Sequence, residues 1–219
     1  MPSTPEDRHD FSAARPVEAE PGALVHTTAD RGLTIEQWLL STHPSPRHAR
    51  TEWLRHGVTL FPLGDLFSAI RLPGRLVQAL ASSTDPVDAD AFLADALDGN
   101  PVICDMQGPR YYVLVPASVP RTWHDAADDW RRDDVECLGR NAYLGVPHPS
   151  ATRFPERGIA SYWSVPMASV GELCAPLTVA RLIAAGVHVL ADRETVWPVD
   201  TPLTPRRPST LPVASRTNR

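Results

Sequence analysis

Val102-Ile103-Cys104-Asp105-Met106-Gln107-Gly108-Pro109-Arg110-Tyr111-Tyr112-Val113-Leu114-Val115 is the stretch on which the fold turns. Two β-rich runs, 102–105 and 111–115, flank a Gly-Pro turn signal, and that pattern closes an antiparallel hairpin. The same reading applies to 135–138 and 142–146 around Gly139-Arg140-Asn141. Working outward, 58–63, 67–72 and 161–165 read as further strands, and 187–190 as a last short one.

Between the strands lie helix signals. Thr34-Ile35-Glu36-Gln37 has capping-box spacing, so a short helix is expected to open there and to carry Trp38, Leu39 and Leu40 up to Pro44. Ser45-Pro46 followed by Gly57 frames a second helix, because proline suits the first helical position and glycine the left-handed stop. Asp85-Pro86 opens a third, running to Gly99 with Phe92, Leu93, Ala96 and Leu97 as its apolar stripe. A polar helix over 123–132 is anchored by Trp123 and Trp130. Ser169-Val170-Gly171-Glu172 is another capping-box pattern, and a helix over 176–185 ends at Gly186. Hairpins in place of alternating βαβ units imply an α+β fold, a mainly antiparallel sheet with helices packed to one side, and disfavour a doubly wound nucleotide fold.

A chain of 219 residues, 42% hydrophobic, suits one domain. Its 23 prolines against 12 glycines crowd toward the ends. We therefore read 1–32 as a disordered N-terminal segment, 33–199 as the α+β domain and 200–219 as a disordered tail. No lysine occurs and the net charge is −5, so any nucleic-acid contact requires a local arginine patch. Arginines concentrate outside helices at 153–157 and at Arg206, Arg207, Arg216 and Arg219, where a solvated chain explains them best. Cys104, Cys137 and Cys174 are widely spaced in apolar surroundings, as buried reduced thiols are. No run approaches the roughly 20 apolar residues of a membrane span, and the acidic start is unlike a signal peptide, so a cytoplasmic location is expected.

Signatures of hydrolases, phosphate loops and zinc proteases are absent from the sequence. His43, His48 and His56 cluster in the chain but are spaced as surface residues. Asp125, Asp128, Asp129, Asp133 and Asp134 form an acidic run without calcium-loop spacing, as an exposed helix face does.

Taken in order, several segments resemble the N-terminal primase/polymerase-type domain of bifunctional DNA primase/polymerases, in the archaeo-eukaryotic primase superfamily. They are Trp53-Leu54-Arg55-His56-Gly57-Val58-Thr59-Leu60-Phe61-Pro62-Leu63, Phe67-Ser68-Ala69-Ile70-Arg71-Leu72-Pro73 and Pro109-Arg110-Tyr111-Tyr112-Val113-Leu114-Val115-Pro116. Val135-Glu136-Cys137-Leu138-Gly139, Ala142-Tyr143-Leu144-Gly145-Val146-Pro147 and Ser161-Tyr162-Trp163 continue the series, so the resemblance covers roughly 50–185. It implies nucleotidyl transfer, which needs two or three carboxylates about two divalent metals. Here the chain departs from the pattern. Arg71 and Pro73 stand where the first motif has paired acids, the second motif lacks its histidine, and Glu136 alone matches an acid, that of the third. Gly64-Asp65-Leu66 is all that links the opening strand to the first motif, where the family places a lysine-bearing loop and helix.

The resemblance thus implies a degenerate, non-catalytic relative acting as a nucleotide or single-strand-binding module, with Arg71, Arg110, Tyr111 and Tyr143 as its candidate contacts and no cofactor. A rival is an active enzyme using magnesium or manganese, with Asp65 and Asp105 joining Glu136 in place of the lost acids. A third reading is a protein-interaction domain with Trp123 or Trp163 on an exposed apolar patch.

Overall fold

The hairpin at the centre of the sequence is also central in the computed structural model, which describes residues 17–20, 23–25, 28–154 and 161–196. In chain order the elements begin with β1 (Val17–Glu20), β2 (Ala23–Val25), α1 (Thr28–Leu40), α2 (Pro46–His56), β3 (Val58–Pro62) and β4 (Phe67–Pro73). Next come α3 (Gly74–Ala81), α4 (Pro86–Ala96), β5 (Val102–Asp105), β6 (Arg110–Pro116), α5 (Val119–Thr122) and α6 (His124–Trp130). A 3-10 turn, β7 (Glu136–Leu138), β8 (Tyr143–Pro147), β9 (Tyr162–Val165) and α7 (Pro176–Val196) complete them. The main sheet has five strands in the order β7-β4-β6-β5-β9, β3 pairs with β8 as a separate ribbon, and β1 pairs with β2. Every pairing is antiparallel. The fold is α+β, as the hairpin reading requires.

Strand alternation sorts the main sheet into two faces. Ile70, Leu72, Val102, Cys104, Tyr111, Val113, Val115 and Tyr162 point to one face and are buried with Leu76, Leu93, Val179 and Ile183 of α3, α4 and α7. Phe67, Ala69, Ile103, Leu114 and Trp163 point to the other, where they meet Phe61, Leu144 and Val146 of the ribbon and Leu39 and Trp53 of α1 and α2. Helices therefore stand on both sides and not on one as expected, those of the second face partly behind a two-stranded ribbon. The three cysteines are free, with Cys104 and Cys174 buried.

Several local expectations need correction. Thr34 opens no helix: it lies inside α1, its hydroxyl donating to the Asp30 carbonyl at 2.7 Å. The α3 helix was not expected from the sequence. Here proline occupies the position before the helix, and the Gly74 N–H donates to the Pro109 carbonyl at 2.7 Å, docking the β5–β6 turn onto the helix start. The run 135–146 is not a hairpin. The turn closes, with the Ala142 N–H donating to Gly139 O at 3.0 Å, but β7 then adds to the edge of β4 while β8 pairs with β3. Turn chemistry fixes a reversal; partner choice lies with distant strands.

Ser169 to Glu172 makes only a turn, and Gly186 stops nothing, since α7 continues through it and no strand follows at 187–190. A Cβ at Gly186 would meet Leu76 Cγ and Cδ2 at 2.5 Å, so this glycine permits the close crossing of α3 and α7. The segment 1–32, expected to be disordered, holds β1, β2 and the first turn of α1, while its residues 1–16, the 200–219 tail and the arginines at 157 and in the tail lie outside the described residues.

Candidate functional site

Four strands bring polar side chains to the open end of the second face. Glu136 of β7 stands opposite Arg71 of β4, Arg71 opposite Tyr112 of β6, and Tyr112 opposite Ile103 of β5. Asp105 lies two residues beyond Ile103 on the same face, opposite Arg110. The ribbon only borders this end, through Tyr143, Leu144 and Gly145 of β8. A cleft of about 260 Å³ remains there, lined by Arg71, Asp105, Tyr112, Leu138, Tyr143 and Ser161 among others.

The cleft's charges are largely committed to one another. Arg71 Nη1 lies 2.9 Å from Glu136 Oε2, and its Nη2 lies 3.5 Å from Asp134 Oδ1. Asp105 Oδ1 accepts from the Gln107 N–H at 3.0 Å, holding the β5–β6 turn. Burial raises the Tyr112 hydroxyl above the ordinary phenol range; Asp105 adds to this, and Arg110 and Arg71 oppose it. The floor is therefore a neutral phenol beside a guanidinium held by two carboxylates. Tyr143, 65% exposed, stands at the lip and presents its ring to solvent.

Of the residues named from the sequence, Arg71, Asp105 and Tyr143 meet in this cleft, and Arg110 reaches its margin through Tyr112. Tyr111 does not: it is buried on the helical face, where its hydroxyl is pushed well above its usual range by burial and then by Cys104 and Asp90. Tyr112 takes the place expected of it. Period-two alternation through Tyr111, Val113 and Val115, all apolar neighbours of one face, is the signal that distinguishes the two tyrosines.

Asp65, Asp105 and Glu136 do not converge. The β7 and β5 strands are separated by β4 and β6, which sets Glu136 and Asp105 roughly 14 Å apart at three strand spacings. Asp65 is exposed on the bend before β4, beyond Phe67, which lies four strand residues or roughly 13 Å from Arg71. Among the described residues no three His, Cys, Asp or Glu side chains group as metal ligands do. The acidic run is spent on exposed pairs, Asp128 with Arg131 and Asp129 with Arg132, at 3.4 and 3.6 Å. His48 pairs with Glu52 one turn on, at 3.3 Å.

Two tryptophans expected on an exposed patch are placed otherwise. Trp163 is 1% exposed, and its indole N–H donates to the Pro147 carbonyl at 3.2 Å. Trp123 is half-buried and stacks on Trp130 with centroids 6.4 Å apart.

A larger cavity, about 750 Å³, lies between α1 and the 148–152 and 166–168 segments. Its polar wall serves the fold. Glu36 Oε1 accepts from Arg50 Nε at 2.8 Å, and Glu36 Oε2 lies 3.9 Å from His148 Nε2. The Ser150 hydroxyl and N–H both address His148 Nδ1, at 2.7 and 3.3 Å, which leaves the ring proton on Nε2 toward Glu36. These contacts tie the 148–152 loop to α1 and α2, and nothing in the sequence foretold them.

The fold and cleft define an antiparallel α+β domain with one uncovered polar sheet end. No family model, curated protein or solved structure matches the chain. No helix among the described residues is long and apolar enough to cross a membrane.

Proposed function

We propose that the chain is a non-catalytic binding module, cytoplasmic, that takes a nucleotide or a single-stranded nucleic acid on the open end of its main sheet. The observation that carries the reading is Tyr143, exposed at the lip of a cleft floored by Tyr112 and Arg71. An exposed ring beside a polar recess supports a base stacked on Tyr143 with its edge addressed by the Tyr112 hydroxyl, Arg71 and Asp105. The separation of Asp65, Asp105 and Glu136 supports binding without nucleotidyl transfer, because the two-metal mechanism needs its acids around one phosphate. The primase/polymerase resemblance agrees with the ligand class and with the loss of chemistry.

Binding of labelled oligothymidylate and of nucleoside triphosphates to the full chain, followed by fluorescence anisotropy, tests this. Tyr143→Ala should weaken binding roughly tenfold, from about 1–3 kcal/mol per stacked base. Saturable binding that Tyr143→Ala leaves unchanged would remove the site, and absence of binding would favour a protein-interaction domain. Magnesium- or manganese-dependent incorporation on a primed template would overturn the non-catalytic half of the reading.

A further inference from the structure

We infer that a second cleft, about 600 Å³ and walled by Arg121 and Arg140, is a phosphate subsite of the same ligand surface. The inference rests on the nucleotide reading and deepens it. Gly64, Ala117, Ser118 and Pro120 supply the rest of the lining, and no carboxylate takes part. Among the described residues neither guanidinium has an ion-pair partner, whereas Arg50, Arg71, Arg131 and Arg132 each hold a carboxylate. Two arginines lining one recess that no acid lines give it a positive potential, which favours an anion there.

The turn that carries Arg140 and the short helix α5 that carries Arg121 are locked together. Gly64 has φ +95°, and a Cβ there would fall 2.8 Å from the Arg140 backbone nitrogen and 2.6 Å from its Cγ. A Cβ at Gly139 would fall 2.8 Å from Pro120 Cγ. The Leu63 N–H donates to the Ala142 carbonyl at 3.0 Å, closing the same junction. Two glycines thus let the 139–141 turn seat against both the bend at Gly64 and α5 at Pro120. Arg140 leaves the turn from a fixed backbone, and Arg121 faces it from the neighbouring wall. Such fixed placement lowers the ordering penalty of binding.

Arg140 and Tyr143 are three residues apart, so their Cα atoms lie within about 11 Å. Two groups this close fall within reach of neighbouring nucleotides of one strand. A strand with one base on Tyr143 therefore brings a neighbouring phosphate to the Arg121–Arg140 cleft, and a nucleoside triphosphate presents its own phosphates to the same groups.

The test measures how oligothymidylate binding to the full chain varies with salt, in the parent and in the exposed-site double variant Arg121→Gln, Arg140→Gln. Each phosphate contact on a single strand contributes a slope of about −0.7 in log K against log salt. The double variant should flatten the slope by about 1.4, while Tyr143→Ala weakens binding and leaves the slope as it was. An unchanged slope in the double variant, with binding retained, overturns the subsite for strands. Inorganic pyrophosphate, followed by titration calorimetry, separates the two readings. If oligothymidylate does not bind but pyrophosphate binds the parent and not the double variant, the anion site stands and the nucleic-acid reading falls. If the double variant binds pyrophosphate as the parent does, the subsite falls.

Discussion

On its helical face the main sheet is covered end to end; on its other face the β3–β8 ribbon covers one end and leaves Arg71, Tyr112 and Asp105 at the other. Each face carries one cluster of polar groups, and the clusters differ in kind. On the helical face Asp90 of α4 accepts from the Tyr162 hydroxyl at 3.0 Å and from the Ser164 hydroxyl, a closed unit between helix and strand. On the other face Arg71, Glu136 and Asp134 form a chain that runs out to solvent beside a recess. A half-buried carboxylate closed on its own hydroxyl donors is tied to stability, and a polar group left beside open volume is available to a ligand. The two faces should therefore respond differently to substitution.

The widest gap is expected in packing. Leu76 is fully buried and lies against the bare backbone of α7 at Gly186, so Leu76→Ala leaves a cavity that neither helix can close without moving. A loss of about 2–5 kcal/mol is expected by urea denaturation. Leu138, half-buried on the cleft wall, should lose about 1 kcal/mol on the same change. Equal losses would mean that the second face is as tightly built as the first and that the cleft is no recess.

What was legible in the sequence follows the same division. The β5–β6 hairpin, the α2 helix between Pro46 and Gly57 and the Asp85 cap of α4 were all readable, because each depends on residues adjacent in the chain. Gly57 takes φ +73°, and Asp85 accepts from the Val87 N–H at 2.9 Å, as those signals imply. Gly186 misled because its role is set by Leu76, more than a hundred residues earlier, and a glycine admitting a neighbouring helix looks in sequence like a glycine ending its own. Gly139-Arg140-Asn141 announced a reversal truthfully, while the partners of β7 and β8 were settled by β4 and β3. The site was half legible for the same reason. Arg71 and Tyr143 were found by their order in the chain, but the choice of Tyr112 over Tyr111 needed the face assignment, and the pairing of Arg140 with Arg121 needed two loop contacts made by glycines.

The Asp90 cluster gives the next largest effect. Asp90→Ala strands two hydroxyls and should destabilise by about 2 kcal/mol. Asp90→Asn keeps an acceptor and should lose less. Burial raises the Asp90 carboxyl above the ordinary range, and the Ser164 and Tyr162 hydroxyls only partly oppose it. The protonated acid is thus favoured in the folded state. Its contribution is full below the unfolded value of about 3.9 and declines as pH rises through the folded value. Relative to Asp90→Asn, the parent should lose stability as pH rises from about 4 and then level off. Denaturation midpoints of both proteins across that range check the sign; a difference that grows with pH would mean that the hydroxyls, not burial, dominate.

The smallest expected effect on stability lies in the open cluster, and there ligand binding is the sharper measurement. Arg71→Met keeps the apolar stem and removes a charge shared by two partly exposed carboxylates, so it should change stability by less than about 1 kcal/mol. Glu136, at 2.9 Å, and Asp134, at 3.5 Å, already occupy the guanidinium. A phosphate approaching Arg71 would have to displace one and stand beside the other, so Arg71→Met should leave the salt slope of oligothymidylate binding unaltered. Glu136→Gln should do the reverse of what loss of an acid does in a metal site: with the nearer carboxylate neutralised and only Asp134 left at 3.5 Å, Arg71 can take a phosphate, and the slope should steepen by up to about 0.7. Weaker binding in Glu136→Gln, especially with a dependence on magnesium or manganese in the parent, would place Glu136 among ligand-holding acids and make the open end of the sheet a metal-assisted site instead of a stacking one.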